Sequence, residues 1–152
     1  MARRMFVELA PAYSGISAGT LVIEGRPMSS RTRIALQSHG LSDSQHRSRQ
    51  FGFEQTTADL IVVMEPGHVR WIRRHYPEAA DRTATLLRLV RHLRTFGTLA
   101  ESVAVLDLAK VEAEPWEEIV DPGAGDQGVF DGSAAELYDL VKILAGLLPD
   151  VS

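Results

Sequence analysis

Cysteine is absent from all 152 residues of this chain. That excludes disulfides, zinc–thiolate centres and any thiol chemistry carried by the chain itself. Long apolar runs are missing too. None approaches the ~18 residues of a membrane-spanning helix, and the first residues lack the apolar core of a signal peptide. The expectation is a cytoplasmic protein that meets no membrane. A basic excess is also absent: 16 Lys and Arg against 20 Asp and Glu leave a net charge of −4, which argues against a nucleic-acid partner. Arg70, Arg73 and Arg74 cluster, but a solvated helix face accounts for such a run. Aromatic residues are few, and Trp71 and Trp116 read as packing residues. His39, His68, His75 and His92 show no His-Glu-x-x-His pairing, so neither a metal site nor a cofactor is expected. No Gly-x-Ser-x-Gly elbow is present to activate a serine. Gly123-Ala124-Gly125 lacks the Lys-Ser/Thr that would make it a phosphate-cradling P-loop.

What remains is an ordinary globular composition, 45% hydrophobic, and a length that suits one domain over residues 1–152. Met5, Phe6 and Leu9 fall at helical spacing and predict a helix over 1–10. Ile16 to Ile23, bounded by Gly15 and Gly25, suits a short strand. Ser29 or Ser30 caps a helix that buries Ala35 and Leu36 and closes at Gly40. Leu60 to Met64 is a continuous apolar run, as in strands of parallel sheets covered on both faces. A short helix follows and ends before Pro77. Thr83 to Leu87 reads as a strand running into a basic helix with Arg88, Arg91 and Arg94. Residues 99–113 fit helical spacing better than a strand. Residues 121–132 read as a glycine-rich loop. Ser133 and Glu136 then form a capping box for a last helix whose buried face is Leu137, Leu140, Val141, Leu144, Leu147 and Leu148. Strands alternating with helices imply an α/β domain with a parallel sheet, whose ligands bind at the carboxyl ends of the strands.

Four segments carry more than this: Ser17-Ala18-Gly19-Thr20, Gly25-Arg26-Pro27-Met28, Ala58-Asp59-Leu60-Ile61-Val62-Val63-Met64, and Asp121-Pro122. In order and spacing they resemble the low-molecular-weight protein tyrosine phosphatases. The resemblance extends from Met1 to the last helix and is weakest over 95–118. It implies a three-layer α/β/α fold with a central parallel sheet. Met1-Ala2-Arg3-Arg4-Met5-Phe6 looks like the helix that follows the family's phosphate loop. The Cys-x5-Arg-Ser loop itself is missing, and with it the family's first strand, which lies between those matching 16–23 and 59–64. An N-terminally truncated member is therefore expected, marginal in stability, which either closes the gap between its strands, pairs exposed sheet edges with another copy, or aggregates.

In the family a thiolate attacks phosphorus while loop N–H groups and an arginine hold the phosphate. An aspartic acid before a proline protonates the leaving oxygen and later activates water. By resemblance Asp121 is that catalytic acid, and Ser17 and His46 brace the phosphate loop. The implied substrates are a phosphorylated protein or a small phosphomonoester. Gly123-Ala124 and Leu21-Val22-Ile23 stand where members place aromatic walls, which argues against a preference for phosphotyrosine. Arsenate reductases need further cysteines and are excluded. Two functions remain. One is a phosphomonoesterase read from too late a start codon, whose 152-residue chain is inactive as written. The other is a non-catalytic phosphatase-like interaction or regulatory module.

Overall fold

The computed structural model describes residues 1–151. The backbone divides into two compact units, residues 1–51 with 121–145, and residues 52–120 with the C-terminal stretch from 146.

The first unit holds helices α1 (Ala2–Leu9) and α2 (Ser30–Gln37) and most of a final helix, Gln127–Leu147. α1 follows the predicted pattern and buries Met5 completely. Ser29 caps α2 by accepting a hydrogen bond from the Thr32 N–H at 3.2 Å. Beyond the helix Gly40 takes φ of 70°, a left-handed conformation that costs glycine nothing.

The segment 16–23 forms no strand. One isolated parallel bridge, Gly19 with Gln50, is all it contributes. β-branched residues favour extended backbone, but a strand needs a partner over several residues, and here Gln50 spends its side chain on the same segment. Its Oε1 accepts from Val22 N–H at 3.1 Å and its Nε2 donates to Thr20 O at 2.9 Å.

The second unit is built on two parallel strands, β1 (Ile61–Val63) and β2 (Thr83–Thr85), in register Ile61 to Thr83, Val62 to Ala84 and Val63 to Thr85. No third strand joins this sheet among the described residues. Helix α3 (Pro66–His75) makes the crossover between the strands. Parallel strands require such a connection. Thr85 caps α4 (Leu86–His92) by accepting from Arg88 N–H at 3.1 Å. The helical reading of 99–113 holds only in part: α5 spans Leu99–Ala104, and a single 3-10 turn follows at Leu108–Lys110. Ile72, Leu86, Leu89 and Leu93 are fully buried or nearly so. Each such side chain contributes about 1.5–3 kcal/mol by leaving water.

Two expectations need correcting. Ser133 caps nothing, because the last helix, α6, starts seven residues earlier than a Ser133 cap would place it, at Gln127. Asp126 takes the capping role: its Oδ1 accepts from Val129 N–H at 3.0 Å and its carbonyl accepts from Phe130 N–H at 3.2 Å. The early start draws Gly128 and Gly132 into the helix and adds Phe130 to a buried face that also holds Ala134, Leu137, Val141 and Leu144. Nor is Arg73 part of a solvated face. Its Nη2 donates to Leu108 O, and to Val111 O at 2.6 Å.

Gly132 sits mid-helix, and a Cβ there would meet nothing within 4 Å. Gly132→Ala should therefore stabilise the chain by about 0.5–1 kcal/mol, the glycine penalty in a helix interior. A urea denaturation midpoint that rises in the variant checks this.

Candidate active site

Ser17, His46 and Asp121 all belong to the first unit. Ser17 is half-buried and precedes a backbone lacing that ties residues 19–26 to 48–51. Gly19 N–H donates to Arg49 O at 2.9 Å, Phe51 N–H to Gly19 O at 2.8 Å, Gly25 N–H to Ser48 O at 2.8 Å, and Ser48 N–H to Arg26 O at 2.7 Å. His46, also half-buried, sits two residues before Ser48 on the other side of that lacing.

Both segments converge on α1. Gly15, two residues ahead of Ser17, lies so close to it that a Cβ would stand 3.2 Å from Phe6 Cδ1 and 3.3 Å from Val7 Cγ2. On the His46 side, Arg4 Nε donates to Ser42 O at 2.9 Å, and Arg3 forms an ion pair with Asp43. His46 N–H in turn donates to Asp43 O at 3.2 Å. The imidazole is held below its ordinary pKa, first by burial and then by the Met1 ammonium, with Asp43 opposing and Arg3 and Arg47 adding small effects. His46 is thus a neutral ring near the start of α1 at neutral pH, able to offer one donor and one acceptor.

Asp121 stands apart. It is exposed, and its Oδ1 accepts from Gly123 N–H at 2.8 Å across Pro122. Gly123 takes φ of 52°, which lets the turn close. Among the described residues no hydrogen bond or ion pair joins Asp121 to Ser17 or His46. The structure therefore brings Ser17 and His46 onto neighbouring segments beside α1, and leaves the carboxylate of Asp121 on its own turn.

In the second unit the strand ends carry two features that pattern reading missed. One is a groove of about 340 Å³ at the carboxyl end of β1, lined by Glu65, Pro66, Gly67, Arg70, Ala113, Pro115 and Glu118. The other is a buried carboxylate, Glu117, only 1% exposed. Arg88 grips it from the side, Nε to Oε1 at 2.8 Å and Nη2 to Oε2 at 2.9 Å, and Thr85 Oγ1 donates to Oε1 at 2.7 Å. Burial alone would raise the Glu117 pKa. The hydrogen bonds from Arg88, Glu114 N–H and Thr85 outweigh it and hold the carboxyl below the usual range. Arg88 and Arg91 lie 5.5 Å and 4.8 Å from the Trp116 ring centre, so Trp116 is a partly exposed platform for two guanidiniums rather than a core residue. Thr85 as an N-cap and the Glu114-Pro115-x-Glu117 spacing were this cluster's only traces in the sequence.

Two parallel strands joined by a helical crossover, with helices before and after them in the chain, make this an α/β protein. The family model described as "Low molecular weight phosphotyrosine protein phosphatase" matches residues 1–122. This chain belongs to that family. A protein-arginine-phosphatase of Geobacillus stearothermophilus is 33% identical over 81 residues, which are 53% of this chain and 54% of that relative. The matched stretch thus spans about half the length of the curated relative. Among solved structures, the YwlE arginine phosphatase of Geobacillus stearothermophilus superposes with a TM-score of 0.75 at 27% identity, covering 95% of this chain and 80% of that one. The low molecular weight protein tyrosine phosphatase of T. tengcongensis gives 0.76 at 26% identity, covering 97% and 88%. Vibrio vulnificus Wzb in complex with benzylphosphonate gives 0.76 at 20% identity, 97% and 88% covered, and attests the fold alone. The α/β fold expected from the sequence is thereby established. So is the consequence of its composition: the 152-residue polypeptide contains no cysteine to act as the family's nucleophile. No helix among the described residues is long and apolar enough to cross a membrane.

Proposed function

We propose that this chain is the acid-bearing part of a cytoplasmic phosphomonoesterase, a single truncated phosphatase-like domain whose nucleophile loop lies in sequence encoded upstream of Met1. The observation that carries this reading is the lack of any cysteine in a chain whose match to the family covers residues 1–122. Asp121 is the general acid: it is exposed, and the following proline restricts the backbone that aims it. Ser17 and His46 brace the phosphate loop, a role supported by their position beside α1, the helix that follows that loop in the family. The substrate is a phosphorylated protein or a small phosphomonoester. The absence of aromatic residues at 21–23 and 123–124 and the likeness to arginine phosphatases both favour a side chain other than phosphotyrosine. Metals, cofactors and nucleic acid take no part in this reading.

The test is hydrolysis of para-nitrophenyl phosphate by the 152-residue chain, with no turnover expected, together with in-frame translation of the DNA before Met1. A strand followed by Cys-x5-Arg-Ser there supports the reading. An in-frame stop immediately before Met1 would leave the alternative, a non-catalytic interaction or regulatory module, which the same missing thiol favours.

Self-association belongs to this proposal. Among the described residues no third strand joins the β1–β2 pair, and Leu21 is 94% exposed. Unpaired strand edges recruit further strands. Sedimentation velocity should show a species that grows with concentration; a monomer unchanged from micromolar to near-millimolar concentration would rule this out.

A further inference from the structure

Arg73 leaves one polar group unexplained. Its Nη2 serves Leu108 O and Val111 O, yet its Nε–H is buried and reaches no acceptor among the described residues. Buried donors are nearly always paired, because an unmade hydrogen bond forfeits the solvation the group had in water. Beside Arg73 lies a cavity of about 10 Å³, room for a single water. Its wall is polar on several sides: Arg73, Arg88, Thr83, Thr85 and Glu117 line it together with apolar residues such as Val69 and Ala113.

The chemistry of the wall supplies what a water needs. Arg73 Nε–H is a free donor. Thr83 Oγ1 donates its own proton to Ala79 O at 2.8 Å, which leaves oxygen lone pairs to accept. Val111 O already accepts from Arg73 and has a second lone pair. A buried water typically makes two to four such bonds. Apolar cavities stay dry, whereas this one has an orphaned donor and acceptors around it.

We infer that this cavity is a binding site for one structural water, which accepts from Arg73 Nε–H and donates to oxygens of β2 and the 108–111 turn. The water completes the junction between α3, β2 and the segment that runs on to Glu117. It explains why an arginine, rather than a shorter cation, stands at 73: a lysine could serve the two carbonyls but has no second donor placed partway along its side chain.

Hydration NMR on the intact chain tests the site. The expected result is cross-relaxation between Arg73 Nε–H and a water resident for nanoseconds or longer. In Ala113→Val, which adds two methyl groups at the cavity wall, that signal should vanish and the urea midpoint should fall. An Arg73 Nε–H that exchanges freely with bulk solvent, or one that is protected but shows no bound water, would overturn the inference. A urea midpoint that rises in Ala113→Val would do so too, since filling a dry cavity stabilises. Where the variant fails to fold, the hydration spectrum of the unsubstituted chain decides alone.

Discussion

Glu117→Ala is expected to cost about 3–5 kcal/mol of folding free energy, the usual penalty for removing one partner of a buried ion pair. The reason is what stays behind. Arg88, with 14% of its side chain exposed, loses the only acceptor of its Nε and the shortest of those on its Nη2, which keeps Glu114 Oε2 at 3.1 Å and Glu112 O at 3.4 Å. Thr85 Oγ1 loses its acceptor in the same step. Glu117→Gln should fall between the alanine variant and the parent chain, since the amide retains one acceptor but cannot carry the charge that a bidentate guanidinium matches. Against a typical total of ~5–15 kcal/mol, the alanine variant should unfold at markedly lower urea concentration. The pH dependence follows from the sign of the shift. The folded carboxyl titrates below its ordinary unfolded value of 4.5, so its stabilisation is fully present above that value and is lost as pH falls through the depressed folded pKa. Glu117→Gln should remove this acid-side loss. A glutamine variant whose urea midpoint and acid-unfolding curve both match the parent chain would show that the cluster contributes nothing.

The second large effect concerns turnover. The 152-residue chain should release no para-nitrophenol above the uncatalysed background, and Asp121→Asn should change nothing in it. If an upstream-extended chain carrying Cys-x5-Arg-Ser is made, the same substitution should lower kcat about 10²–10⁴-fold, the range that a positioned general acid supplies. The pair of measurements separates two questions. Activity in the short chain that Asp121→Asn abolishes would reveal a working site without a thiol and end the reading given above. A fully active extended chain indifferent to Asp121→Asn would keep the enzyme and remove the assigned acid.

Local chemistry made much of the fold legible. The helix capped at Ser29, one of the two serines the sequence offered, and the strand inside the apolar run 60–64 depend on neighbours within a few residues and stand near where the sequence put them, whereas the strand read over 83–87 stops at Thr85 and turns into α4 two residues early. Failures came where a distant partner outvotes a local preference. Ile16 to Ile23 has the composition of a strand and lacks a strand to pair with beyond Gln50. Ser133 has the spacing of a capping box, but Asp126 caps first, and the longer helix gains Phe130 as a buried contact at the cost of taking in Gly128 and Gly132. Ser17 and His46 could be singled out only by resemblance, because nothing in their own residue types marks a half-buried serine or a neutral histidine beside a helix start.

The amino-acid sequence by itself determined the family, through four ordered segments, and the missing chemistry, through a residue type it does not contain. Tertiary structure alone decided that an acidic residue in a stretch rich in glutamate is the buried one, and that Arg88, 29 positions away, reaches back to neutralise it. It also decided that Arg73 spends its charge on carbonyls. The difference is physical: identity and absence are properties of single positions, whereas burial of charge is settled only when remote groups arrive together and displace water.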